Sequence, residues 1–64
     1  MQIIVCTNRA RIELTKELNT NKIPFTFGKS MEQIVTDTEN PKVKMAIRMT
    51  KERLGMQCLT IKEN

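Results

Sequence analysis

The stretch that decides the fold runs from Asn40 to Gly55 and reads NPKVKMAIRMTKERLG. Its ends carry residues that begin and end helices: Asn40 suits the N-cap, Pro41 the first helical position, and Gly55 the position just past the end. Between them, side chains at three- and four-residue spacing share one face, namely Val43, Ala46, Ile47, Thr50 and Leu54. The stretch therefore predicts a helix over 41–54 that packs inward through this face.

The same helix carries the basic character of the chain. It holds five basic residues and one acid, a surplus of four, and the net charge of the whole chain is also +4. Lys44, Arg48 and Lys51 fall on one stripe beside the apolar face. Met45 and Met49 lie next to that stripe. Because the positive charge is concentrated here, we interpret these five side chains as a partner-binding surface.

Length and composition limit the size and class of the protein. The 64 residues predict one small domain over 1–64, with marginal stability from packing alone. Two phenylalanines, with no tryptophan or tyrosine, predict an aliphatic, Met-rich core. Small domains of this kind gain stability by association, so we expect a homodimer. The sequence has no signal-peptide pattern and no apolar run long enough for a bilayer, so we expect a cytoplasmic protein without membrane partners.

The first half of the chain predicts a βαβ unit. Residues 1–7, MQIIVCT, form an apolar run typical of a buried strand. Residues 8–22 predict a helix whose inner face has one row of side chains: Ala10, Leu14 and Leu18. Residues 23–27, IPFTF, predict a second strand, at a sheet edge because Pro24 has no N–H for a ladder. A right-handed crossover would make these two strands parallel.

The second half adds two helices and a strand. Ser30 and Gln33 fit a capping box, which predicts a short helix with Met31, Ile34 and Val35 on one face. After the helix over 41–54, residues 56–62 predict a third strand whose direction stays open. We therefore expect an α/β domain of order β-α-β-α-α-β: a three-stranded sheet with helices packed on it. A parallel third strand would make it a small doubly wound fold.

The run IIVCTNRARIELTKELNTNKIPFTF resembles the opening βαβ of glutaredoxins. The matching features are Thr7, the Lys16-Glu17-Leu18 stretch and Ile23-Pro24-Phe25. The resemblance covers residues 1–27, fewer than half of the chain. It implies a truncated thioredoxin-like fold with an antiparallel third strand. Where glutaredoxins carry their redox cysteine motif, this chain reads Asn8-Arg9-Ala10-Arg11, so the resemblance argues against thiol chemistry.

The first turn of the predicted helix over 8–22 holds two cations, Arg9 and Arg11. Free N–H groups at a helix N-terminus, beside the carboxyl end of a strand, bind anions readily. The two arginines would strengthen such a site, and we treat them as candidate anion-binding residues. The alternative is that both side chains extend into solvent.

The sequence lacks the equipment of an enzyme. It has no histidine, which removes the commonest general base and metal ligand. Its acids are scattered without a motif, and its two cysteines cannot make a tetrahedral metal site without further ligands. Cys6 lies in an apolar run and is most simply a small core residue. We expect no catalytic residue, no metal and no cofactor.

The composition therefore favours a small non-enzymatic binding protein, such as an inhibitor, adaptor or regulator. We expect it to dock an acidic protein surface through the helix over 41–54, because Arg and Met side by side are typical of protein interfaces. Its small size also fits a phage-encoded accessory protein. One alternative is a nucleic-acid-binding module that contacts phosphates through the same helix. A second is a degenerate glutaredoxin-like protein.

Purely structural interpretations of the same residues are also open. The basic stripe is then an ordinary solvated face, and Met45 and Met49 form the seam of the homodimer.

Overall fold

The computed structural model describes residues 2–63, in the element order β-α-β-β-α-β. The strands are β1 (Gln2–Cys6), β2 (Thr26–Phe27), β3 (Gln33–Val35) and β4 (Leu59–Glu63). The helices are α1 (Asn8–Thr20) and α2 (Pro41–Leu54). The predictions for Met1, in the first strand, and for Asn64, at the solvated end, lie outside the described residues.

The four strands form one sheet in the order β2-β3-β1-β4, and every neighbouring pair is antiparallel. β1 is therefore paired on both sides, while β2 and β4 are the two edges. This strand order together with this element order is the split βαβ arrangement of ferredoxin-like folds. Such an arrangement hosts many unrelated activities, so it carries no function by itself.

The expected α/β class is confirmed, but the expected three-stranded sheet is wrong. The predicted short helix over 31–35 is instead a turn followed by β3. Ile34 is fully buried and lies opposite Ile4 of β1. Gln33 does not complete a capping box; its side-chain oxygen accepts from the Lys29 amide at 3.0 Å and closes the β2–β3 turn. Two β-branched residues that pair with β1 outweigh the local helix signal.

The predicted parallel direction of the first two strands is confirmed, although they are not neighbours in the sheet. β1 and β2 run in the same direction, as a crossover predicts, but β3 lies between them and pairs with both. The small doubly wound arrangement is wrong because the sheet is antiparallel. The direction of the last strand is now fixed as antiparallel to β1, and that strand begins at Leu59, after Cys58.

The two long helices have the predicted limits to within two residues. α2 covers 41–54, with the Asn40 side chain accepting from the Lys42 amide at 2.9 Å. Gly55 ends α2 with a φ of 103°, a conformation that favours glycine. α1 ends at Thr20 rather than Lys22, and its N-cap is Thr7, whose hydroxyl accepts from the Ala10 amide at 3.3 Å.

One apolar cluster joins both helices to a single face of the sheet. Its largest fully buried apolar side chains are Ile4, Leu14, Leu18, Ile34, Val43 and Leu59. Alternation along β1 turns Ile4 and Cys6 toward the helices, whereas Ile3 and Val5 lie on the opposite face and are half-buried. The predicted inner faces of α1 and α2 are confirmed as buried, except that Leu54, at the end of α2, is half-buried.

This difference between the two faces of β1 can be measured with one conservative change. Ile4→Val should lower the free energy of unfolding by about 1 kcal/mol, because it removes a fully buried methylene from a packed core. Ile3→Val, on the opposite face, should cost less than about 0.5 kcal/mol. Urea unfolding followed by far-UV circular dichroism provides both values. Equal losses at the two positions would contradict the assignment of faces.

Candidate functional site

A groove of about 550 Å³ lies between α2 and β4. One wall is the basic stripe of α2, formed by Lys44, Arg48 and Lys51. The apolar part of the lining consists of Ile47, Met56 and Ile61. The structure therefore brings the three predicted basic residues together beside an apolar strip that belongs partly to another element.

Helix periodicity explains the basic wall. The buried face of α2 holds Val43, Ile47 and Thr50, so residues 44, 48 and 51 fall on the flank next to Ile47. That flank faces β4, as the shared lining with Ile61 shows. The long basic side chains thus rise from the border between core and solvent.

The apolar strip exists because β4 is an edge strand. Ile61 lies opposite Ile4 in the register, on the helix-facing side of the sheet. Ile4 is 0% exposed, but Ile61 is 42% exposed, because it lies one strand further from the centre of the sheet. Met56, in the segment between α2 and β4, is 72% exposed. Together they form an apolar area that is open to solvent.

The charges in the groove are mixed. Lys44 Nζ lies 3.7 Å from Glu39 Oε2, and Arg48 Nε lies 3.3 Å from Glu52 Oε1. Both acids line the same groove as the basic residues. The four side chains are mostly exposed, so each ion pair contributes little to stability and can be exchanged for a partner's carboxylate.

Met45 and Met49 lie on the other flank of α2. They line a separate depression between the two helices, together with Glu17 and Asn21. Met45 is 57% exposed and Met49 is half-buried. The structure therefore divides the predicted partner-binding set into a basic groove and a methionine-lined depression.

Arg9 and Arg11 also occupy different surroundings. Arg9 is exposed and lines a depression of about 800 Å³ with Thr7 and residues 54–58. Arg11 is half-buried, and within residues 2–63 its Nε has no hydrogen-bond partner. Burial raises the pKa of the nearby Cys6 thiol, and the positive charge of Arg11 acts to lower it. The anion site stays a prediction, and Arg9 is the arginine that borders the depression at the start of α1.

Both cysteines are free and buried. Their sulfur atoms contact different carbonyls: Cys6 Sγ lies 3.6 Å from the Glu32 oxygen, and Cys58 Sγ lies 3.9 Å from the Thr50 oxygen. Burial raises the pKa of the Cys6 thiol, and the nearby Arg11 charge offsets only part of this effect. Cys6 is therefore protonated at neutral pH and a poor nucleophile.

Sequence reasoning missed the second side of the groove. The sequence predicted only that residues 56–62, which include Met56 and Ile61, form the last strand. The alternation of Leu59 and Ile61 does indicate one apolar face. Ile61 lies at an open edge because β4 is the last strand of the sheet. A local sequence pattern gives no information about the position of a strand within a sheet.

Comparisons with protein-family models, curated proteins and solved structures give no match to this chain. Within residues 2–63, neither helix has the length and apolarity that crossing a bilayer requires. The same residues contain no group of three or more side chains of the metal-ligating types His, Cys, Asp and Glu that could hold an ion.

The raised pKa of the Cys6 thiol predicts slow alkylation. At neutral pH, iodoacetamide should modify Cys6 more slowly in the folded protein than in the urea-unfolded chain. The alkylation rate of the folded protein should also begin to rise at a higher pH than that of the unfolded chain. Arg11→Gln removes the charge that lowers this pKa and should slow the reaction further. Mass spectrometry of digested peptides separates Cys6 from Cys58. Equal rates in the folded and unfolded chains would contradict this account.

Proposed function

We propose that this protein is a small, non-enzymatic binding protein that docks an acidic surface of a partner protein through α2. The observation that carries the proposal is the groove between α2 and β4, where Lys44, Arg48 and Lys51 border exposed apolar side chains. Protein interfaces combine apolar contact with charged groups that fix orientation and partner. An acidic segment with apolar side chains is complementary to both parts of this lining.

The mixed charge of the groove favours a protein over nucleic acid. Glu39 and Glu52 lie among the basic side chains and would repel a continuous row of phosphates. A protein segment can place individual carboxylates beside the cations and leave Glu39 and Glu52 facing water. The exposed side chains of Ile61 and Met56 also favour a partner with apolar groups, which a phosphate backbone does not present.

The remaining predictions fit this proposal without being required by it. A homodimer formed through Met45 and Met49 would leave the groove open, because the methionines lie on the other flank of α2. An inhibitor, an adaptor or a regulator would need no cofactor. The same holds for a phage-encoded protein of this kind. The cytoplasmic location and the distant glutaredoxin relationship of residues 1–27 stay predictions.

Charge reversal in the groove tests the proposal. The probe is a fluorescent peptide of alternating Glu and Val, titrated by anisotropy. Arg48→Glu with Lys51→Glu should weaken binding about tenfold or more, because two attractions become repulsions. The matched control is Lys16→Glu with Lys29→Glu, which changes the net charge equally at two exposed positions outside the groove. The control should bind like the wild type, and circular dichroism should show both variants folded.

Salt dependence separates the protein partner from nucleic acid. Binding to duplex DNA through three phosphate contacts should fall about 40-fold between 50 and 200 mM salt. Binding of the peptide should fall much less, because a short peptide does not carry the condensed counterions that duplex DNA releases on binding. Unchanged peptide affinity in the groove variant would remove α2 from the site. Steeply salt-dependent binding of DNA without binding of the peptide would replace this proposal with the nucleic-acid alternative.

A further inference from the structure

Building on the proposed function, we propose that the partner supplies an extended acidic segment, which adds to the free edge of β4 as an antiparallel fifth strand. Its alternate side chains then enter the groove and meet the basic stripe of α2. The main chain of β4 provides the hydrogen bonds, and the groove provides the selectivity for carboxylates.

The free edge of β4 is long enough for such an addition. β4 has five residues, lies at the end of the sheet and, within residues 2–63, pairs only with β1. The opposite edge strand, β2, has two residues. An edge strand presents a row of unpaired N–H and C=O groups and is a template for another chain. The longer template therefore lies directly beside the groove.

The hydrogen-bond pattern identifies which groups of β4 are available. The Thr7 amide donates to the Cys58 carbonyl at 2.9 Å, and this pair continues the β1–β4 register. Because hydrogen-bonded pairs alternate in an antiparallel ladder, the groups of Thr60 and Lys62 point toward β1. The outward groups belong to the residues between and beside them: Leu59, Ile61 and Glu63.

An independent contact on the other side of β1 supports this assignment. The Cys6 amide donates to the Glu32 carbonyl at 2.9 Å, so Cys6 and Ile4 bond toward β3. The intervening residues Ile3 and Val5 therefore bond toward Lys62 and Thr60 of β4.

The outward backbone groups and the groove lie at the same positions of β4. Ile61 pairs with Ile4 and faces the helices, and it also lines the groove. In an antiparallel addition, the residues opposite Leu59, Ile61 and Glu63 would share this face. They would also be the residues whose own N–H groups point at β4. Carboxylates at these positions would lie beside Lys44, Arg48 and Lys51.

Charge complementarity favours a separate partner over a second copy of this chain. Two copies of β4 paired antiparallel about Ile61 would place Ile61 against Ile61 and Leu59 against Glu63. Each groove would then receive one carboxylate, from Glu63, beside three cations. A segment with an acid at every second residue supplies a carboxylate to each outward position.

N-methylation of the probe tests strand addition without altering the protein. Three peptides are compared on the wild type: the alternating Glu and Val peptide, a form N-methylated at the glutamates that cover β4, and a form N-methylated at the same number of valines. If the glutamates face the groove, their N–H groups donate to β4 and those of the valines point away. Methylation at glutamate should weaken binding about tenfold or more, since several hydrogen bonds are lost. Methylation at valine should change the affinity by no more than about twofold.

The outcomes separate this inference from the proposed function. If the unmethylated peptide binds, loses affinity in the Arg48→Glu, Lys51→Glu variant and yet is insensitive to the site of methylation, side-chain docking stands and strand addition is overturned. Greater loss from methylation at valine overturns the antiparallel arrangement. If the unmethylated peptide does not bind at low salt, both proposals fail. Strand addition is supported only by the selective loss on methylation at glutamate.

Discussion

The pairing of β1 with a neighbour on each side is the constraint on which the molecule depends. Ile4 is fully buried at its centre and lies opposite Ile34 of β3 and Ile61 of β4. Side-chain alternation from this point sets which residues of three strands face the helices. A shift of one residue in either pairing would turn the buried set outward. The same register determines that Ile61, rather than Lys62, borders the groove.

Local patterns predicted α2 because its limits are determined by its own residues. Asn40, Pro41 and Gly55 act on the backbone within a few positions, and they do so in the structure. The error over 31–35 arose because two local signals competed, a capping box and a β-branched pair. The pairing of Ile34 with Ile4, thirty residues away in the chain, decided between them. The insertion of β3 between β1 and β2 was hidden for the same reason.

The candidate site was predictable only on the side that belongs to one helix. Lys44, Arg48 and Lys51 share a flank by periodicity alone, and the structure places them on one groove. For Arg9 and Arg11, by contrast, periodicity places the two side chains on different sides of the helix. They are two positions apart on α1, about 200° around the helix axis, so they do not face each other. Nearness in sequence suggested one anion site, whereas helix geometry gives the two arginines different neighbours.

In the proposed function, binding at the groove is linked to the stability of the fold. Ile47 belongs both to the buried core and to the lining of the groove, so the wall of the site is part of the fold. A chain of 64 residues has little core to spare, and open edges such as that of β4 leave backbone groups to water. A partner that fills the groove covers Ile61 and Met56 only when the protein is folded. It therefore binds the folded state and not the unfolded chain. Binding then stabilises the protein in proportion to the logarithm of the ratio of partner concentration to Kd, once the partner is in excess. The open edge of β4 and the exposed side chains of Ile61 and Met56 therefore limit the stability of this small domain. The same features form the proposed binding surface.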